Sequence, residues 1–152
     1  MRDQLSKAQE WVEKYPFLRF KNNDCCPWQN TEEVESCWIF DLPTGWIDTC
    51  AKDMCDELLE ALGKCVDDFV ILQLKEKFNE IRLYWCWEDK EYTDVEIQEH
   101  NRLYDVIENI LRKYADISYK TCTICGAQAT KYTNTWITGF CDNCYERTIS
   151  KN

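Results

Sequence analysis

Four cysteines carry the clearest chemistry in this chain. Cys122-x2-Cys125 and Cys141-x2-Cys144 are separated by 15 residues, a spacing that lets two thiolate knuckles close one tetrahedral Zn2+ site. The intervening segment, ATKYTNTWITGF, is β-prone and holds a turn candidate at Thr133-Asn134, so the expected unit is a hairpin-based zinc ribbon. Four thiolates leave no coordination position for water. The zinc is therefore expected to be structural, one site that supplies folding energy to a segment too short to have its own core. With a single histidine, His100, two-histidine zinc protease sites are excluded, and the H-x-E with P-C-x-x-C pattern of zinc deaminases is absent.

A second candidate lies in residues 69–87, which read as two strands turning at Phe78-Asn79, where Asn tolerates a left-handed conformation. This register pairs Leu74 with Leu83, Leu72 with Trp85 and Val70 with Trp87 on a core face. On the opposite face it pairs Lys75 with Arg82 and Gln73 with Tyr84, with Lys77 near the turn. Two cations directly opposite one another destabilise a hairpin unless an anion sits between them. One reading supplies that anion from the protein, through Glu76, Glu80 or a carboxylate of an acidic helix. The other supplies it from a ligand: Gln73, Lys75, Lys77, Arg82 and Tyr84 together suit a phosphate, with a ring available for a base. A one-residue slip would exchange the two faces.

The elements that must position these residues follow from apolar spacing. Leu5, Ala8, Val12 and Tyr15 form the stripe of a first helix stopped by Pro16. Residues 16–44 read as an irregular connection with a strand candidate at residues 37–40. A helix starts at about Trp46 and ends where Gly63 can cap it, burying Ile47, Cys50, Met54, Leu58, Leu62 and Cys65 with Cys55 beside them. Thr93-x-x-Glu96 opens a long helix whose inner face is Leu103, Val106, Ile107, Ile110, Leu111 and Tyr114. His100 falls on that side and is expected to be a hydrogen-bonded boundary residue; nothing in the sequence places a thiol beside it. Cys37 and Cys86, in apolar β-prone stretches, are expected to be buried, leaving Cys25-Cys26 as the candidate exposed thiols and a weak candidate for a second metal. The predicted fold is α+β: helices packed on a small antiparallel sheet or hairpin, with a C-terminal zinc ribbon. Its units are residues 1–40 (helix and irregular extension), 41–117 (α+β core) and 118–152 (ribbon).

Composition narrows the partners. The 152 residues are 45% hydrophobic with 4 Gly and 3 Pro, and no apolar run approaches the roughly 20 residues of a membrane helix. The polar N-terminus shows no secretory h-region. Eleven cysteines, an odd number without secretory context, argue for reduced thiols and a cytoplasmic setting. Eighteen basic against 28 acidic residues give a net charge of -10, which disfavours duplex nucleic acid and anionic membranes. The balance is uneven: residues 1–111 hold 12 basic and 25 acidic side chains, residues 112–152 hold 6 and 3. Four thiolates around one divalent ion remove about two charges from the excess in the second segment.

The run from Gln73 to Tyr84, QLKEKFNEIRLY, resembles the Q-V-K-E-K-F-G-G-L-R-F-Y motif of a family of small phage and bacterial proteins. In that family the motif follows an "lPxGW" helix, here Leu42-Pro43-Thr44-Gly45-Trp46, and precedes a helix ending in Ser, here Ser118, and a C-x-x-C-G ribbon, here Cys122 to Gly126. The resemblance spans about residues 41–146 and implies architecture and a phage or prophage origin, hence the host cytosol, but no reaction. Asn79-Glu80 replaces Gly-Gly and puts a carboxylate near the cations. Three functions stay open. The first is a non-catalytic, counter-defence binder that sequesters a nucleotide-type signal at the Lys75/Arg82 face, with the ribbon as a stabilising lid or a self-association element. The second is an acidic inhibitor of a host protein, acting as a nucleic-acid mimic. The third, a phosphodiesterase or nuclease, lacks an acid, base or catalytic metal cluster of suitable spacing.

Overall fold

The computed structural model describes residues 2–20 and 36–149, with side chains from Lys7 onward; Cys25, Cys26 and the side chain of Leu5 lie outside that set. Helix α1 (Arg2–Lys14) stops before Pro16 as expected, and a 3-10 turn at Pro16–Leu18 carries Phe17 and Leu18 into the core beside Ala8 and Tyr15. The strand expected at residues 37–40 is instead a 3-10 turn, Trp38–Asp41, in which Phe40 N–H donates to Cys37 O and Leu42 N–H to Ile39 O. Such a short apolar run cannot choose its own period, and here the backbone satisfies itself locally through those two bonds.

The acidic helix forms in three pieces: α2 (Thr44–Trp46), a π-type stretch at Ile47–Ala51 and α3 (Lys52–Leu62). Its apolar stripe is buried through Cys50, Met54, Cys55, Leu58 and Leu62. Gly63 ends it at φ 50°, a left-handed value that costs glycine nothing, and its amide returns to Leu59 O. Cys65 is therefore not on this helix. It sits on the 3-10 segment Gly63–Asp68 that follows.

Strands β1 (Phe69–Lys77) and β2 (Glu80–Trp87) make the antiparallel hairpin, with Phe78 and Asn79 at φ 53° and 62° in its two-residue turn. The expected pairs Leu74 with Leu83, Lys75 with Arg82 and Gln73 with Tyr84 are all present. Beyond them a bulge at Leu72 shifts the register to Ile71 with Trp85, Val70 with Cys86 and Phe69 with Trp87, so the expected Leu72–Trp85 and Val70–Trp87 pairs do not form. The extra residue exchanges faces. It buries Phe69 against Phe17, Trp85 and Trp87 (ring centroids 5.7, 5.1 and 6.3 Å apart) and leaves Leu72 48% exposed. Cys86 alternates with Trp85 and Trp87, and is exposed rather than buried as expected.

Helix α4 (Asp94–Tyr119) opens with the predicted capping box, Thr93 Oγ1 accepting from Glu96 N–H and Glu96 Oε1 from Thr93 N–H. It covers the hairpin with Leu103, Ile107 and Tyr114, while Ile110 and Leu111 are partly buried. Val106, expected on that face, is 36% exposed, because the stripe is narrower than its apolar residues suggest. Strands β3 (Lys131–Tyr132) and β4 (Gly139–Phe140) pair antiparallel across a loop longer than the expected Thr133-Asn134 turn, and α5 (Asp142–Thr148) is the last described element. The fold is α+β, helices on a small antiparallel sheet with a C-terminal four-cysteine unit. No helix among the described residues is long and apolar enough to cross a membrane.

Candidate functional site

Cys122 and Cys125 form one knuckle before β3, Cys141 and Cys144 the other at the start of α5, and their Sγ atoms all lie within 4.8 Å of one another. Tetrahedral coordination at about 2.3 Å per bond separates sulfurs by about 3.8 Å, and the Cys125 and Cys141 sulfurs are already 3.6 Å apart. The set fits a metal ion and leaves no position open. Local geometry prepares it: Gly126 N–H donates to Cys122 O, and Cys144 N–H donates to Cys141 Sγ at 3.4 Å, so Cys141 caps α5. Burial alone would raise the Cys122 thiol, but backbone amides at Cys125, Cys141 and Ile124 favour its thiolate and bring it down to about 6. Cys144, drawn on by Cys141, is pushed up to about 12. Four packed thiols cannot all ionise alone; a divalent ion removes that conflict.

The four-cysteine unit is seated on the core by residues scattered through the sequence. Gly45 N–H donates to Thr123 O at 2.8 Å and Trp46 Nε1 to Thr121 O at 3.0 Å. A Cβ on Gly45 would lie 2.5 Å from Cys122 O, so only glycine admits the knuckle there. From the other side Asn79, fully buried in the hairpin turn, donates to Tyr119 O (3.0 Å) and Ser118 O (3.4 Å) and accepts from Gly139 N–H (2.8 Å). Ser118 Oγ in turn accepts from Ile81 N–H at 2.8 Å. Phe78 packs on Trp136, with ring centroids 5.7 Å apart. The Pro-Thr-Gly-Trp turn, the hairpin tip, the serine ending α4 and the first knuckle thus meet at one seam.

The hairpin's outer face carries the other predicted residues. Gln73, Lys77 and Tyr84 are exposed and Lys75 and Arg82 half-buried. Lys75 Nζ stands 5.9 Å from the centroid of the Tyr84 ring, a cation–π contact. Arg82 Nη2 is paired with Glu80 Oε2 at 2.7 Å, the internal carboxylate that one of the two sequence readings requires. Its Nε is buried and has no acceptor. Between β2 and α4 runs a groove of about 330 Å³ lined by Arg82, Leu83, Tyr84, Glu108, Leu111 and Arg112 among others. Among the described residues, neither Lys75 nor Lys77 has a carboxylate within 4.0 Å.

Sequence reasoning missed one cluster. Cys65, Asp68 and His100, all buried, have donor atoms within 4.8 Å of one another. His100 is the hydrogen-bonded residue that was expected, with Nε2 3.2 Å from Asp68 Oδ2, but a thiol stands next to it. The usable signal is Cys65-x-x-Asp68, which shares a face only because residues 63–68 take the three-residue period of a 3-10 helix. Set beside protein-family models, curated proteins and solved structures, the chain matches none.

Proposed function

We propose that this chain is a non-catalytic binding protein that holds a small phosphate-bearing ligand with an aromatic base against β2 and α4. The observation that carries the proposal is the groove of about 330 Å³ between β2 and α4, with Arg82 and Arg112 in its walls beside the Tyr84 ring. Lys75 opposite Arg82, and Arg112 across the groove, add positive charge, while the 50% exposed ring of Tyr84 offers a stacking surface. Glu80, Glu108 and Asp116 line the same groove, so a bare anion is a poor fit. A ligand that also offers donors, such as a nucleobase edge, suits it better. The phage-like motif favours a nucleotide-type defence signal, withheld rather than turned over. The four-cysteine unit, with zinc as its ion, stabilises the hairpin tip from which this face is built.

The test is thermal unfolding of the zinc-loaded protein with inorganic phosphate and with linear and cyclic nucleotides, in parallel with Arg82→Ala and Tyr84→Ala. A nucleotide at 100 times its Kd adds about 2.7 kcal/mol, and both variants should lose that shift. The ligand should be recovered unchanged; hydrolysis would make the protein an enzyme. If no nucleotide raises the melting temperature, the proposal fails. A second reading, an acidic inhibitor of a basic host protein, draws support from α4, where Val95 (75%) and Tyr104 (52%) are exposed among Asp94, Glu96 and Asp105. Salt-sensitive association with a basic partner, abolished by Tyr104→Ala, is its signature.

A further inference from the structure

We propose that Cys65, Asp68 and His100 form a second metal site, a three-ligand zinc centre with one coordination position left open. The three side chains are 8%, 8% and 5% exposed, and their donor atoms lie within 4.8 Å of one another. Zinc bonds of about 2.0–2.3 Å place such donors about 3.2–3.7 Å apart, so the cluster reaches coordination geometry by closing up by about 1 Å, within the reach of side-chain rotation. The imidazole nitrogen and one Asp68 oxygen are already 3.2 Å apart.

The surroundings are those of a metal centre. Asp68 has its other oxygen, Oδ1, held by Lys90 Nζ at 2.8 Å, while Oδ2 and His100 Nε2 face each other at 3.2 Å and would exchange that hydrogen bond for bonds to the ion. Ligating carboxylates usually carry such an outer partner. The His100 ring is clamped flat against Trp87 (centroids 4.0 Å apart, 7° between planes) and edge-on by Tyr92 at 4.5 Å, which fixes its plane. Two ligands come from one turn of 3-10 helix, Cys65 and Asp68 at i and i+3, and the third from the facing helix α4. One thiolate, one imidazole and one carboxylate suit a borderline-soft ion such as Zn2+ better than calcium or magnesium. Cys65 also lines a groove of about 690 Å³ with Gly63, Gln98, Glu99 and Arg102. Of the three ligands Cys65 alone lines that groove, so an ion would enter from the thiol side.

The experiment uses the full chain and Zn2+ alone. Metal content after dialysis should be two zinc per chain in the wild type and one in Cys65→Ser and in His100→Gln. Because His100 is the sole histidine, ring-nitrogen NMR reports on this site without interference. Its resonances should move as the second equivalent of zinc binds, and stay in place in Cys65→Ser. The near-isosteric serine keeps the test usable if His100→Gln fails to fold. One zinc per chain in the wild type overturns the proposal. So does a second zinc that leaves the His100 resonances unmoved, since it would be bound elsewhere.

Discussion

The four-cysteine cluster and the Cys65/Asp68/His100 cluster stand at opposite ends of the same hairpin and the same long helix. The first meets the hairpin at its tip, through Asn79 and Ser118. The second lies where the strands begin and end, through Asp68 and Trp87. Strands of eight or nine residues separate these ends by about 25 Å. The first cluster has four donors of one type, supplied in pairs by two local turns and enclosed by backbone amides. The second has three donors of three types drawn from two elements, with a groove beside the thiol. A filled coordination shell suits a metal that holds structure, whereas a shell short by one suits a metal that meets something else.

That contrast breaks most visibly if the first metal is removed. Cys144→Ser, or chelation, should release the ion and free the whole segment after α4, since structural zinc is worth roughly 10–16 kcal/mol in zinc-finger peptides. Limited proteolysis across residues 120–149 reads it. Asn79→Ala should cost about 2 kcal/mol in urea unfolding, because it strands the Gly139 amide, whereas Ser118 O and Tyr119 O keep Thr121 N–H and Tyr132 O–H as donors. Asn79→Gly should recover only about 1 kcal/mol of this, the left-handed part. Gly45→Ala should cost about 1–3 kcal/mol by forcing a Cβ into Cys122 O, and chelation should erase most of the difference.

At the other end the same measurements should respond weakly. Cys65→Ser should leave the four-cysteine metal bound and shift unfolding by about 1 kcal/mol, sharpening the division between a metal that folds the chain and one that does not. On α3, Asp56 accepts hydrogen bonds from Tyr15 and Lys52, which hold its carboxyl below the usual range. Its contribution is therefore present above the ordinary carboxylate pKa of about 4 and lost as pH falls through the lower folded value. Because its side chain is 41% exposed, Asp56→Asn should cost under about 1 kcal/mol at pH 7. The difference should vanish in acid, as followed by unfolding at pH 7 and pH 2.

Legibility tracked how local each signal was. The knuckle spacing, the capping box at Thr93, the stop at Pro16, the glycine cap at Gly63 and the turn at Phe78-Asn79 each involve residues a few positions apart, and all are found as expected. The bulge at Leu72 was not legible, because either register offers apolar residues to the core and only the fit of Phe69 against Phe17 and the tryptophans selects one. Exposure of Cys86 follows from strand alternation and was hidden by its apolar neighbours. On the hairpin's outer face, the opposition of Lys75 and Arg82 could be read in advance, but not the groove that α4 builds beside it.

The sequence by itself determined the local pieces: two cysteine knuckles, a hairpin with opposed cations, a capped helix and an acidic surface. Tertiary structure decided what those pieces do together. Only the packed fold brings Gly45, Asn79 and Ser118 to one seam, and Cys65 to His100 from 35 positions away. Spacing rules encode contacts within one turn of an element, whereas contacts between elements depend on which faces bury together, and that is settled by volume and shape across the whole core.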